Sequence, residues 1–368
     1  MRDYFIGLIS GTSSDGVDAA LVEFAPTPRL HSSHYMPYAP SLRAQILEFA
    51  TGNYHGDAVD ELGRLDTELG ELFATAALAL ISKARITASD VRAIGSHGQT
   101  VRHRPDAPQP FTLQIADPNI IAARSGIITV ADFRRRDVAL GGQGAPLVPA
   151  FHHAVFADHK ETRAVVNIGG IANITVLPAG DGMVSGFDTG PGNVFMDLWS
   201  REHLHTTHDV NGEFAASGRV DTGLLKELLA DDYFRRPLPK STGLEYFNQA
   251  WLSERLANRK LPAADVMATL CELTARSIND AAMQHARGAK RVLLCGGGVH
   301  NAHLCKRLID HLRGCTLVST EVFGIPPDWV EAVAFAWLAR ETLAERTGNL
   351  PAVTGAKKPA VLGAVYHA

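Results

Sequence analysis

The sequence predicts an α/β protein built from two related domains, and three observations carry that expectation. Its 368 residues exceed the usual length of one domain. Runs of strand-like residues alternate with segments of helical period. A strand, a glycine-bearing turn and a second strand occur at residues 5–23 and again at 164–177, a degenerate internal duplication. Each copy would present a glycine turn able to grip phosphate to a shared cleft.

The first copy reads F-I-G-L-I-S-G-T-S-S-D-G-V-D-A-A-L-V-E. Apolar Phe5, Ile6, Leu8 and Ile9 run into Gly11, while Val17, Ala19, Leu21 and Val22 leave the turn in hairpin fashion. Thr12, Ser13 and Ser14 offer hydroxyls, and Gly11 and Gly16 leave backbone N–H groups uncovered. Asp15 and Asp18 supply oxygen ligands of the kind a divalent cation takes. The loop suits a polyphosphate with magnesium, and it reads equally as a tight hairpin, since Ser-Asp-Gly is common turn chemistry.

Helical period follows at 41–50 and 59–84, where Leu62, Leu65, Leu69, Leu72 and Phe73 recur at three-four spacing. A short strand at 91–94 is expected to deliver Gly95-Ser96-His97-Gly98-Gln99-Thr100 as a loop at its carboxyl end, where open parallel sheets contact ligands. His97 then either meets substrate or only bonds neighbouring backbone. A strand near 111–115, a helix near 118–125 and a strand at 127–131 lead to Asp132-Phe133-Arg134-Arg135-Arg136-Asp137. Such a run is a solvated face or an anion site; arginine's planar fork suits carboxylate or phosphate. Gly141-Gly142-Gln143-Gly144-Ala145-Pro146-Leu147 then precedes a helix.

The second copy, A-V-V-N-I-G-G-I-A-N-I-T-V-L, places Asn167, Gly169 and Gly170 in its turn. Asp188, in Gly186-Phe187-Asp188-Thr189-Gly190-Pro191-Gly192-Asn193, stands before a helix start as either a cap or a base with a clear approach. A helix over 263–285 feeds a strand at 291–294 that ends in Gly296-Gly297-Gly298. Those glycines either admit a ligand to backbone or pack helix on sheet. Glu331 opens the last long helix, and residues 351–368 return to the first domain. The expected domains are 1–145 with 355–368, and 146–354 with a helical insertion near 206–260.

Hydrophobic residues make up 46% of the chain, charged residues 20%, and the net charge is -4, so no basic excess draws nucleic acid. No apolar run is long enough to span a bilayer and no export signal is visible, so a membrane partner is not expected and a cytoplasmic location is. Cys271, Cys295, Cys305 and Cys315 lack zinc or disulfide-framework spacing and read as buried free thiols. No P-loop motif occurs.

The order of glycine hairpin, second glycine hairpin, Asp-x-Gly-x-Gly and triple glycine resembles the sugar kinase, actin and chaperone ATPase superfamily. Within it, G-T-S-S-D-G-V-D, S-H-G-Q-T, D-F-R-R-R-D, G-G-Q-G-A-P-L, N-I-G-G-I-A-N and F-D-T-G-P-G-N are similar to the anhydro-N-acetylmuramic acid kinase family across essentially the whole chain. The resemblance implies two duplicated ribonuclease H-like domains around an ATP cleft. It further implies a bacterial cytoplasmic enzyme of peptidoglycan recycling, active as a homodimer on a small amino sugar.

By that resemblance the enzyme uses ATP and Mg2+ to open 1,6-anhydro-N-acetylmuramic acid with water and phosphorylate its 6-oxygen. Asp188 is the implied base. Gly11, Thr12, Ser13, Ser14, Asp15, Gly16, Val17 and Asp18 hold phosphate, with Asp15 and Asp18 on magnesium. Asn167, Gly169 and Gly170 form the second phosphate turn, and Gly296, Gly297 and Gly298 lie by the adenosine. Arg135 is the implied grip on the lactyl carboxylate, with His97 and Glu331 lining the sugar site. Another sugar kinase acting on a free hydroxyl, or an actin-like or chaperone-like ATPase, would share the hairpins.

Overall fold

The structure is a computed structural model that describes residues 3–11, 14–25, 27–52, 54–238, 240–257 and 259–368. The chain opens with β1 (Tyr4–Ser10), β2 (Gly16–Glu23), β3 (Arg29–Pro37), α1 (Pro40–Thr51) and α2 (Ala58–Ala84). Next come β4 (Val91–Arg104), β5 (Phe111–Ile115), α3 (Pro118–Ser125), β6 (Thr129–Ala131), α4 (Arg135–Ala139) and α5 (Val148–Phe156). The middle holds β7 (Arg163–Ile168), β8 (Ile171–Leu177), β9 (Ser185–Pro191) and α6 (Val194–His203). Short helices follow, α7 (Glu213–Ser217), α8 (Thr222–Leu229), α9 (Asp232–Arg235) and α10 (Gln249–Leu256), before the long α11 (Ala263–His285). The chain closes with β10 (Arg291–Cys295), α12 (Ala302–His311), β11 (Thr316–Ser319), α13 (Val330–Leu343), α14 (Pro351–Thr354) and β12 (Ala364–Tyr366).

Two compact units divide these elements, Met1–Val155 with Phe323–Ala368, and Phe156–Val322. Residues 146–155 and 323–354 therefore lie with the first unit rather than the second, contrary to the expected boundaries. The reason is α13, which packs on β1 and β4 of the first sheet.

The duplication is explicit in the topology. In the first unit β1 pairs antiparallel with β2, β2 antiparallel with β3, β1 parallel with β4, and β4 parallel with β6. In the second, β7, β8 and β9 form the same antiparallel meander, β7 runs parallel to β10, and β10 parallel to β11. Both sheets thus read third, second, first, fourth, fifth strand, the ribonuclease H-like order. β5 and β12 add strands to the first sheet alone.

Strand β1 is buried along its whole length, as covering on both faces demands. On one side α13 lies unusually close. A Cβ at Gly7 would sit 1.7 Å from the Ala332 carbonyl oxygen, and one at Gly95 2.0 Å from that of Phe335. Glycine at these two strand positions lets helix backbone touch sheet backbone, and it fixes where Glu331 and Phe335 stand. Across β1, α2 contributes Leu65, Leu69, Phe73 and Leu80, all fully buried in the core with Ile6, Leu8, Val17 and Leu21. Asp57 caps that helix by accepting from the Val59 and Asp60 N–H groups.

In the second unit α11 buries an apolar stripe that includes Met267, Leu270, Leu273 and Ile278. Residues 206–260 supply α7 to α10; from this segment Phe247 and Trp251 pack against Phe195 of α6, and Tyr233 packs on Phe247. The four cysteines are free, Cys271 and Cys295 buried and Cys305 and Cys315 half-buried. Among the described residues no helix is long and apolar enough to cross a membrane.

Candidate functional site

The second unit seats Asp188 on β9 at a bulge. Ala172 faces Gly190 and Asn173 faces Asp188, so Thr189 is the extra residue. Its hydroxyl donates to the Ala172 carbonyl. A bulge re-aims the neighbouring side chain, and Gly190, at a φ of 143°, absorbs the distortion. Asp188 is then tied to a segment far along the chain. Its Oδ2 accepts from the Thr242 N–H at 3.0 Å, its carbonyl from the Tyr233 hydroxyl at 2.7 Å, and its own N–H donates to the Lys240 carbonyl at 3.4 Å.

Burial raises the Asp188 carboxyl to about 6; the Thr242 N–H and Lys240 oppose the rise, and Glu245 adds to it. Of the two readings open for Asp188, capping has no support in these contacts. The start of α6 is satisfied elsewhere, with the N–H groups of Gly192 and Val194 donating to the Gly170 carbonyl and that of Asn193 to the Gly169 carbonyl. The Asp188 carboxylate is half-buried, and the Thr242 N–H is its one hydrogen-bond partner among the described residues.

Those same bonds lock the β7–β8 turn, Gly169 and Gly170, to the start of α6; Asn167, expected in that turn, lies on β7 and pairs with Asn173 of β8. The triple glycine after β10 joins them. At Gly296, with φ of 80°, a Cβ would lie 2.3 Å from Asn167 Oδ1, and at Gly298 2.3 Å from Ile168 Cγ2. Gly297 has nothing within 4 Å. Packing therefore explains the outer two glycines, and only the middle one offers open backbone. The structure brings Asn167, Gly169, Gly170 and the three glycines to one end of one sheet.

In the first unit the β1–β2 turn is braced from below by β4. Ser10 Oγ donates to Gln99 Oε1 at 2.6 Å, and Gln99 Nε2 donates to the Gly11 carbonyl at 3.4 Å. Ser14, at a φ of 49°, closes a turn onto that carbonyl. Gly11 has nothing within 4 Å. At Gly16 a Cβ would meet the Met36 carbonyl oxygen at 2.5 Å, so this glycine serves the β2–β3 pairing. The Val17 side chain is fully buried in the core, which leaves only its backbone to a ligand. Thr12 and Ser13 lie outside the described residues.

Asp18 and Asp15 stand with two acids from the other end of the chain. Burial first, then the carboxylates of Glu331, Asp15 and Asp328, raise the half-buried Asp18 carboxyl to about 7. Like charges gathered this way are short of a cation. Among the described residues no group of three or more His, Cys, Asp or Glu side chains is arranged to hold a metal. A magnesium ion commonly takes one or two carboxylates and completes its shell with phosphate and water, and Asp15 with Asp18 fits that pattern.

His97 is not in a loop. β4 runs unbroken to Arg104, because Gly95 is the seat of α13 and Gly98, at a φ of 75°, is pressed against the Ile115 carbonyl of β5. Within it the His97 ring is buried 4.6 Å from the Phe335 ring. Arg134 Nε donates to His97 Nε2 at 2.9 Å, and Arg134 Nη1 donates to the Gly144 carbonyl at 2.8 Å.

Arg135, the expected anion grip, turns elsewhere. Its side chain is 56% exposed, with Nε 3.5 Å from Asp132 Oδ1. Arg134 is the arginine that joins His97 and balances Glu331. Although Glu331 is open to solvent by surface area, the surrounding protein raises its carboxyl and Arg134 opposes the rise. The sequence reading weighed Arg134 with its neighbours but preferred Arg135, and it gave no role to Asp137, a fully buried carboxylate. No local pattern marks Asp137, because Asn349 and Thr354, whose side chains donate to it, lie 212 and 217 residues along the chain.

The sequence model described as anhydro-N-acetylmuramic acid kinase matches residues 3–368. A Coxiella burnetii anhydro-N-acetylmuramic acid kinase is 50% identical over 366 residues, covering 99% of this chain and 98% of the relative. One from Xanthomonas axonopodis pv. citri is 51% identical over 368 residues, with 99% and 98% covered.

Proposed function

The chain belongs to the anhydro-N-acetylmuramic acid kinase family, and on that premise we propose that it opens 1,6-anhydro-N-acetylmuramic acid hydrolytically and phosphorylates the freed 6-oxygen from ATP. The products are N-acetylmuramic acid 6-phosphate and ADP. The observation that carries the residue assignment is the Asp188 carboxylate, held at Oδ2 by the Thr242 N–H and raised to about 6. Such a group is ionised at neutral pH yet basic enough to accept a proton.

Asp188 takes a proton from the water whose oxygen attacks the anomeric carbon. The bond from that carbon to the 6-oxygen breaks, the 6-oxygen forms a bond to the γ-phosphorus, and ADP departs with the bridging electron pair. One base thereby serves both bond changes.

Gly11, Ser14 and the backbones of Gly16 and Val17 take the phosphates directly, Asp15 and Asp18 through magnesium; Asn167, Gly169 and Gly170 also take phosphate, while the open backbone of Gly297 lies by the adenosine. Thr12 and Ser13 belong to the same phosphate turn by sequence. Magnesium, when bound to Asp15 and Asp18, offsets phosphate charge. Arg134 receives the substrate's lactyl carboxylate, in place of Arg135, whose exposed side chain pairs with Asp132; Glu331 faces the sugar hydroxyls. The enzyme works in the bacterial cytoplasm, where ATP is available, and as a homodimer, a state that light scattering on the purified protein checks.

Mass spectrometry of the product formed in oxygen-labelled water tests the reaction. Ring opening places the label at the anomeric position. A phosphorylated product without label overturns hydrolytic opening in favour of transfer to a free hydroxyl.

A further inference from the structure

His97 touches no open space through either ring nitrogen. Nε2 faces the Arg134 Nε–H at 2.9 Å, and Nδ1 faces the Gly98 carbonyl at 2.9 Å. A guanidinium only donates, so Nε2 is the acceptor and the hydrogen is on Nδ1. The imidazole is neutral by geometry. Burial and the neighbouring Arg134 charge push its protonation well below the ordinary histidine range, in agreement.

Arg134 is held from a second side. Its Nη1 donates to the Gly144 carbonyl, and the Gly144 N–H donates to Asp137 Oδ2 at 2.8 Å. Asp137 Oδ1 in turn accepts from Asn349 Nδ2 at 2.6 Å and Thr354 Oγ1 at 2.8 Å. Every member of this chain is in the first unit. The Nη2 amine of Arg134 has no hydrogen-bond partner among the described residues.

We propose that His97 is a positioning residue for substrate binding, a neutral acceptor that fixes Arg134 so that its Nη2 edge meets the substrate's carboxylate. This rests on Arg134 being the carboxylate ligand. The direction in which Nη2 donates depends on the plane of the guanidinium, and the bond at Nε together with that at Nη1 sets that plane. His97 contributes no proton and no substrate contact.

Steady-state kinetics on three variants tests it, because glutamine and asparagine replace different ring nitrogens. His97→Gln keeps an acceptor near Nε2, and its sugar KM should stay within about threefold of the parent. His97→Asn keeps only the link to Gly98, and its sugar KM should rise about tenfold with kcat little changed, the mark of lost uniform binding. Against an anhydro sugar lacking the lactyl group, that rise should vanish. Arg134→Met should raise the KM at least as much, and adding His97→Asn to it should cost nothing further.

Equal losses in His97→Gln and His97→Asn, or additive losses in the double variant, overturn the role of His97 while leaving Arg134 in place. A sugar KM unmoved by Arg134→Met removes Arg134 from the carboxylate, and this proposal with it, while the ring-opening reaction stands on its own label test. Thermal melts of all variants separate misfolding from lost binding.

Discussion

The backbone N–H of Thr242 reaches the carboxylate of Asp188, 54 residues earlier, at 3.0 Å. One oxygen of the carboxylate is thereby committed to holding its orientation, and Oδ1 remains for a proton. A backbone donor suits this duty, since it cannot be titrated and a side-chain substitution does not remove it.

Asp188→Asn should keep that contact, because the asparagine oxygen can take the place of Oδ2, and it should lose the base. Turnover is expected to fall by about a thousandfold or more, with ATP affinity by calorimetry unchanged. Turnover within about tenfold of the parent removes Asp188 as the base.

The acid limb of kcat/KM should report the same group. Asp188 must be ionised to act, and its carboxyl is raised to about 6. The rate is expected to rise from acid pH and level off above that value. A flat profile down to pH 4.5, near the ordinary carboxylate range, contradicts the burial of this carboxyl.

Asp18 predicts a pH dependence of stability with a definite sign. Its carboxyl is raised from 3.8 to about 7 in the fold, so between those values the native state binds more protons than the unfolded chain. Stability therefore falls as pH rises through that window. Asp18→Asn should flatten the decline in Tm between pH 5 and 7 measured without metal. The parent should also gain Tm from magnesium with a non-hydrolysable ATP analogue at pH 8, and the variant should gain less. Equal slopes and equal gains remove Asp18 as a metal ligand.

Local signals carried the sequence reading where the physics is local. Both glycine hairpins, α11 and the strand before the triple glycine are patterns within a few residues, and the duplicated topology follows from them. Glycine misled at β4, since Gly95 and Gly98 punctuate a sequence yet here serve the approach of α13 and contact with β5. Three adjacent arginines are equivalent along the chain; only the buried Phe133 and Asp137 distinguish Arg134 from Arg135. The partners of Asp188, Tyr233 and Thr242, lie 45 and 54 residues away, beyond any periodicity.

Glycines that look alike in the sequence should separate sharply on substitution to alanine. At Gly7 the new Cβ would sit 1.7 Å from the Ala332 carbonyl oxygen, and α13 would have to leave the sheet, carrying Glu331 and Phe335 with it. A loss of about 3 kcal/mol or more, or no folded protein, is expected in chemical denaturation. Gly296→Ala should also destabilise, since its φ of 80° is strained for alanine and its Cβ would fall 2.3 Å from Asn167 Oδ1. Gly297→Ala meets nothing within 4 Å and should leave Tm within about 2 °C, since an open site adds neither clash nor cavity. Its effect belongs to the nucleotide, because a methyl group there stands where open backbone is offered to the adenosine. The KM for ATP should rise about tenfold while the KM for sugar stays put. An unchanged ATP KM in a folded Gly297→Ala variant takes this glycine out of the nucleotide site and leaves the triple glycine as packing alone.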